Sequence, residues 1–318
     1  MKKKIYIKDL IDYTGRIDLQ LSLIAGKAGL HKEIIVGDIN RPGLSLAGFF
    51  DYFAFDRIQI FGLGEAAYIN QLEEERKNDI YEKFFSYDVL CCIFTYGKKP
   101  DDLFIKFADK KKVPTFTTQR RTTKFVTLFS HVTEEAFAPF VTIHGSMVDV
   151  FGVGVILLGK SGVGKSECAL ELVERGHRLI GDDILKIQLI DESLLIASGS
   201  SIIKHHMEIR GLGIINIKDI FGIRSLRERK RVELIAMLEE WDHSKQYDRL
   251  GIEEKTYSIL DINTPYITVP VKPGRNIPII IETAALNRRL KKMGISSAKE
   301  LDDRIKNWIQ MEKLQEDD

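Results

Sequence analysis

Cysteine is scarce in this 318-residue chain, which carries only Cys91, Cys92 and Cys168. Two of them are adjacent, no C-x-x-C pair occurs, and no Cys/His spacing suits a zinc ion. That excludes a disulfide-stapled secreted scaffold and points to a reduced, cytosolic setting. An excess of either charge is also missing: 47 Lys and Arg face 46 Asp and Glu, for a net charge of +1. Such a balance gives no reason to expect nucleic acid or a membrane surface as the main partner. No apolar run is long enough to span a bilayer. The opening "MKKKIYIKDLIDYTG" has positive charge but no signal-length apolar stretch after it, so the expected location is cytoplasmic. Long internal repeats and low-complexity segments are absent too.

What is present is a chain with 44% hydrophobic residues, enough for a sizeable core, and a length that suggests two domains. In the first part, strand-like segments ("EIIVG", "RIQIFG", "DVLCCIFTYG", "VPTFTT") alternate with helix-like ones ("AAYINQLEEERKNDIYEKFF", "DDLFIKFADKKK"). The run "DVLCCIFTYG" is apolar throughout, as a strand covered on both faces must be. This pattern predicts a layered α/β domain over residues 1–130, with a scaffolding or regulatory role. "NRPGLSLAGFF" (Asn40–Phe50) reads as a turn leading into an apolar helix. "RRTTKFVTLFSHVTEEAF" reads as a helix leading into the second domain, residues 131–318. There strands dominate until two helices at the end, the last with Leu301, Ile305, Trp308 and Ile309 on one apolar face. One basic run, "RSLRERKR" (Arg224–Arg231), stands out. It is read as a solvated face or hairpin tip, with a docking patch for an acidic partner or phosphate as the alternative.

The chemistry concentrates at "GKSGVGKS", which matches G-x-x-x-x-G-K-[ST] and comprises Gly159, Lys160, Ser161, Gly162, Val163, Gly164, Lys165 and Ser166. The apolar strand "GVILL" precedes it and the helical segment "SECALELVERG" follows it, which is the context the motif requires. Glycines allow the backbone N–H groups to converge on phosphate oxygens, and the helix N-terminus adds partial positive charge. Lys165 would reach the terminal phosphates of a nucleoside triphosphate, and the Ser166 hydroxyl would ligate Mg²⁺. Cys168, in the first turns of the helix, is read as a packing residue.

A helix from about Lys165 to Arg175 is ~16 Å long at 1.5 Å per residue. The strand "HRLIG" then travels about 16 Å back, at roughly 3.3 Å per residue. Asp182 and Asp183 are therefore expected at the phosphate end of the sheet. Hydrolysis needs one carboxylate near the metal, whereas a kinase also needs an acceptor for the proton of the attacking hydroxyl. Read as neighbours on a strand, the two aspartates point to opposite faces, one for the metal or the fold and one for the substrate. Asp183 is the preferred base and Asp182 the alternative. Further candidates are His144, ending the strand "FVTI"; Glu208 as a metal ligand and Arg210 as a phosphate contact in "KHHMEIRGLGIIN"; Arg249 in "YDRLG"; and the turn "VPVKPGRN" with Lys272 and Arg275. Adjacent His205 and His206 lack the spacing of a helical zinc pair.

The set "IHG", "GKSGVGKSECALELVERGHRLIGDD", "MEIRGLGIIN", "YDRLG" and "VPVKPGRNIPIIIETAA" resembles the HPr kinase/phosphorylase family, from about residue 135 to the C-terminus. "NRPGLSLAGFF" extends the likeness into the first domain. The resemblance implies a bifunctional enzyme with a P-loop kinase domain similar to phosphoenolpyruvate carboxykinase. It would transfer phosphate from ATP, with Mg²⁺, to a serine of the phosphocarrier protein HPr. It would reverse the transfer with inorganic phosphate, releasing pyrophosphate, and it would assemble as a homohexamer. His144, Lys165, Asp183 and Arg249 take the family's active-site positions, Gly159 to Ser166 bind ATP, and Ser166 and Glu208 hold the metal. Met207, Glu208, Ile209, Arg210, Gly211, Leu212, Gly213, Ile214, Ile215 and Asn216 match the segment tied to both reactions. Pro270, Val271, Lys272, Pro273, Gly274 and Arg275 match the loop tied mainly to dephosphorylation. Two rival readings are a small-molecule kinase on the same fold and a regulator that senses nucleotide without transferring phosphate.

Overall fold

The structure is a computed structural model that describes residues 5–12, 18–35, 37–200, 203–247 and 254–316. The chain divides into two compact units, residues 1–138 and 139–318.

In the first unit the elements run β1 (Ile5–Tyr6), α1 (Ile7–Asp12), β2 (Ser22–Ala25), β3 (Glu33–Ile34), β4 (Ile39–Asn40), α2 (Gly43–Leu46), β5 (Ile58–Phe61), α3 (Leu63–Gln71), α4 (Glu74–Phe84), β6 (Cys91–Phe94), α5 (Asp102–Lys110), β7 (Thr115–Thr117) and α6 (Thr122–Phe137). A five-stranded sheet has the order β2-β7-β6-β5-β4. Strands β4 to β7 are parallel and β2 is antiparallel to β7. The pleat sorts the apolar residues into two cores. Phe61, Cys92 and Phe94 join Phe50, Phe53, Tyr81, Phe84 and Phe104 on one face. Ile58, Ile60, Cys91 and Ile93 join Phe125 and Phe129 of α6 on the other. The run "CCIF" is therefore apolar at every position because both faces are covered. "AAYINQLEEERKNDIYEKFF", which reads as one helical stretch, is split into α3 and α4: Leu72 and Glu73 are extended (ψ 141° and 153°). No Gly or Pro marks that break.

In the second unit, β8 (Phe140–His144), β9 (Ser146–Val150), β10 (Val153–Gly159), α7 (Lys165–Glu174), β11 (Arg178–Gly181), β12 (Ile184–Ile190), β13 (Leu194–Gly199), β14 (His206–Ile209), β15 (Gly213–Asn216), α8 (Ile217–Phe221), β16 (Arg229–Arg231), β17 (Leu234–Glu240), β18 (Thr256–Ile259), β19 (Ile262–Val271), α9 (Ile277–Lys292) and α10 (Ser297–Glu316) follow in order. A six-stranded sheet, β11-β9-β10-β17-β19-β18, lies beside a four-stranded one, β16-β13-β12-β8. Alternate residues of β10 serve different cores. Val155 and Leu157 pack with Leu172 of α7 and Ile281 of α9, while Ile156 and Leu158 pack with Leu185, Ile187 and Leu195 of the smaller sheet. Strands β10, β17 and β19 run parallel, so β10 delivers its C-terminal end at Gly159.

The basic run is anchored at several points. Arg227 donates to the buried Asp149 carboxylate at 2.7 Å, and Lys230 lies 3.8 Å from the same group. Residues 229–231 form the edge strand β16. Among the described residues no helix is long and apolar enough to cross a membrane.

Candidate active site

The glycine-rich loop occupies the gap between β10 and α7, at the end of a strand buried over six of its seven residues. Gly159, Gly162 and Gly164 all have positive φ. Gly162 shows why a larger residue does not belong here: its φ is +84°, a backbone conformation that L side chains rarely adopt. Val163 turns inward and packs with Cys168 and Met207 in the core, which fixes the loop to its helix. The Lys165 ammonium donates to the loop's own carbonyls, Gly159 O at 3.1 Å and Lys160 O at 3.0 Å. Those bonds fold the side chain back onto the loop.

Helix α7 ends in a Schellman motif, with His177 N–H donating to Leu172 O at 3.0 Å and Gly176 N–H to Val173 O at 2.9 Å. Strand β11 then returns to the loop, and the two aspartates follow it. They are not strand neighbours, contrary to the alternation read from the sequence. Both lie in the bend between β11 and β12, and Asp183 has φ +65°. This left-handed turn, which Asp tolerates better than most residues, separates the side chains where a pleat was expected to.

Their environments differ sharply. Asp182 is buried, at 5% exposure. It accepts from the Ser166 hydroxyl at 2.9 Å (Oδ2) and 3.1 Å (Oδ1), and from the Ser146 hydroxyl at 2.5 Å (Oδ1). Burial pushes its carboxyl above the usual aspartate range, against the pull of those two hydroxyls and a backbone N–H. The Asp183 side chain is 68% exposed, and its Oδ1 lies 3.5 Å from Nδ1 of His144, itself 79% exposed. Strand β8 positions the histidine by pairing with β12, with His144 opposite Ile184. Gly145 N–H donates to Asp183 O at 3.1 Å, which ties the two turns together.

The remaining candidates fall in three groups. The β14–β15 hairpin carries the segment Met207–Asn216. Met207 is buried against α7, Glu208 is exposed, and Nη2 of Arg210 comes to 3.5 Å from the Ser161 hydroxyl. The 270–275 loop shares a cavity of about 360 Å³ with the glycine-rich loop, lined by Val163, Gly164, Glu167, Val271, Gly274 and Arg275. Its cations rest on one aromatic ring: Lys272 Nζ lies 4.5 Å and the Arg275 guanidinium 5.8 Å from the centroid of Trp241. Arg249 lies outside the described residues.

Two contributors went unnoticed in the sequence. Ser146 follows His-Gly in "IHGS", and only its position opposite "DD" in the folded chain signals a role. Trp241 lies well upstream of the loop whose cations it carries, and no spacing announces it. The donors around Asp182 are hard oxygens, a hydroxyl and a carboxylate. They suit Mg²⁺, which takes few protein ligands and completes its shell with phosphate and water.

Comparison with known proteins follows the same division. The model of the HPr serine kinase N terminus matches residues 5–132, and that of the HPr serine kinase C-terminal domain matches residues 135–305. An HPr kinase/phosphorylase of Leptospira biflexa is 52% identical over 300 residues, spanning 94% of this chain and 93% of the relative. One from Treponema pallidum is 49% identical over 296 residues, spanning 93% of each. A solved HPr(Ser) kinase/phosphatase from Coxiella burnetii is 34% identical, covers 51% of this chain and 98% of its own, and superposes with a TM-score of 0.46.

Proposed function

The chain belongs to the HPr serine kinase family, and on that premise we propose how its second unit phosphorylates a serine of HPr and removes that phosphate again. The observation that supports the reading best is the unequal treatment of two adjacent carboxylates. Asp182 is buried and committed to Ser166, whereas Asp183 stands exposed beside His144.

In this scheme residues Gly159 to Ser166 hold the phosphates of ATP, with backbone N–H groups and the N-terminus of α7 supplying positive potential. Mg²⁺ supplies charge neutralisation at the phosphates when bound, and Ser166, Asp182 and Glu208 are the residues that would hold it. Asp183 accepts the proton of the HPr serine as its oxygen attacks the γ-phosphorus, and the bond from that phosphorus to the β,γ-bridging oxygen breaks to release ADP. A positioned base of this kind contributes about 10²- to 10⁴-fold. Lys165 leaves its loop carbonyls for the phosphates, and His144 and Arg249 stabilise the transferring group. In the reverse direction inorganic phosphate attacks the phosphoserine and departs as pyrophosphate, and Asp183 returns the proton to the serine oxygen. The similarity to phosphoenolpyruvate carboxykinase, the homohexamer and the cytoplasmic location are carried over from the family resemblance.

One experiment tests the whole scheme. The purified chain is incubated with terminally labelled ATP, Mg²⁺ and HPr, and inorganic phosphate is added afterwards. The expected result is label on HPr, then its loss as pyrophosphate. Label on a small metabolite alone would favour a small-molecule kinase, and no transfer would favour a nucleotide sensor.

A further inference from the structure

Ser146 belongs to none of the motifs that carry the family resemblance, yet it makes the shortest side-chain contact to the buried aspartate. It opens β9, is fully buried, and its hydroxyl donates to Oδ1 of Asp182 at 2.5 Å. Its backbone is pinned from two sides. Ser146 pairs with Leu157 of β10 in the ladder. The preceding Gly145 approaches β10 so closely that a Cβ would sit 2.7 Å from Leu157 O. The backbone at Ser146 is therefore held against β10, within reach of Asp182 for its hydroxyl.

We propose that Ser146 is a positioning residue for phosphoryl transfer: it sets the rotation of the Asp182 carboxylate relative to Ser166. The inference rests on the functional reading above. The terminal torsion of an aspartate is broad and roughly two-fold, so a single donor leaves the carboxylate plane loosely defined. Ser166 alone is such a donor, since its hydroxyl lies almost equally far from both oxygens, 2.9 and 3.1 Å. Ser146 supplies a second, shorter bond at Oδ1, and two donors at different positions define the plane in which both oxygens face the Ser166 hydroxyl. The same turn places His144 beside the Asp183 carboxylate, while Gly145 N–H donates to the Asp183 backbone carbonyl, so one short segment contacts both aspartates. Mg²⁺ tolerates little departure from octahedral geometry, so a carboxylate with a fixed plane favours its capture with the nucleotide.

The test is a titration of the full chain with a fluorescent ATP analogue, in EDTA and in Mg²⁺, for wild type, Ser146→Ala and Ser146→Thr. Thermal midpoints are measured in metal-free buffer. Residues that orient a metal's ligands typically change metal affinity by about 10- to 100-fold. Ser146→Ala should therefore keep its metal-free nucleotide affinity and lose ~10-fold or more of the gain that Mg²⁺ confers. The Mg²⁺ concentration for half-maximal kinase rate should rise in step, and Ser146→Thr, which keeps the hydroxyl, should recover most of both. An unchanged Mg²⁺-dependent gain in Ser146→Ala would overturn the proposal. So would an equal loss of affinity with and without metal, since that reports only a damaged fold. If Ser146→Thr is too large to fold, the alanine variant and its metal-free midpoint still decide the matter. A wild-type chain with no Mg²⁺-dependent gain would overturn the functional reading itself, and this inference with it.

Discussion

Replacing Asp183 by Asn separates chemistry from binding more cleanly than any other change in this site. The residue is exposed, with φ +65°, a conformation that Asn adopts as readily as Asp. Its one ion-pair contact among the described residues, to His144 at 3.5 Å, is exposed on both sides. Such pairs contribute about 0–1 kcal/mol, so the thermal midpoint should hardly move. Loss of a general base costs about 10²- to 10⁴-fold, equivalent to ~3 to 5 kcal/mol in the barrier. Asp183→Asn should therefore bind ATP with Mg²⁺ as wild type does, while label transfer to HPr at saturating ATP and pyrophosphate release both fall by at least about 100-fold. Asp182→Asn provides the contrast. Its amide nitrogen cannot accept, so one of the two hydroxyls that now donate to it, the buried Ser146 or the half-buried Ser166, must turn away. That costs roughly 1 to 3 kcal/mol of stability and weakens Mg²⁺-dependent nucleotide binding. Should Asp183→Asn retain rates within tenfold of wild type while Asp182→Asn binds normally but is inert, the assignment of base and anchor is reversed.

Other outcomes follow from particular contacts. Arg275→Ala should slow dephosphorylation of HPr more than its phosphorylation, with equal losses counting against a selective role for the 270–275 loop. In the first unit, the Glu65 carboxyl is opposed by burial, but hydrogen bonds from Arg41 (2.6 and 2.9 Å) and its own and the Gly62 backbone hold it below the ordinary value of 4.5. Its stabilisation is thus complete above that value and lost as the pH falls through the lower folded pKa. Glu65→Gln should lower the thermal midpoint at neutral pH by the equivalent of roughly 1 to 3 kcal/mol, and the gap should narrow as the pH drops below 4.5. The three thiols are buried, and burial pushes Cys168 up to about 12. A thiol reagent at pH 8 should label none of them quickly in the native chain and all three after denaturation.

The features legible in the sequence are those fixed by local backbone physics. Phosphate-loop spacing depends on glycines and a helix start, and both are local. The return of the chain to the loop depends only on the lengths of α7 and β11. The apolar run at Cys91–Phe94 announced a two-sided core because periodicity survives without knowledge of neighbours. The features that escaped are contacts between distant segments. Nothing near Leu72 marks the break between α3 and α4, and nothing near Asp183 announces a left-handed turn. The basic run looked solvent-facing because its partner, Asp149, lies far upstream in β9. Ser146 and Trp241 escaped for the same reason: each acts on a residue brought to it by the sheet.

The position of the exposed carboxylate also constrains the kind of substrate. A base in bulk water is screened and loses much of the leverage that a dry site gives it. An enzyme for a small metabolite therefore has to bury its base within its own cleft. Here the buried carboxylate, Asp182, is already occupied by two hydroxyls, while Asp183 and His144 remain 68% and 79% exposed. The water over them has to be displaced by something that arrives with the reacting hydroxyl, and a folded protein surface does this while a free metabolite does not. On the proposed assignment, an exposed base next to a buried anchor suits a substrate that is itself a folded protein. The left-handed turn at Asp183 produces this contrast with two consecutive residues, because it lets one carboxylate stay buried against Ser166 while its neighbour stays exposed.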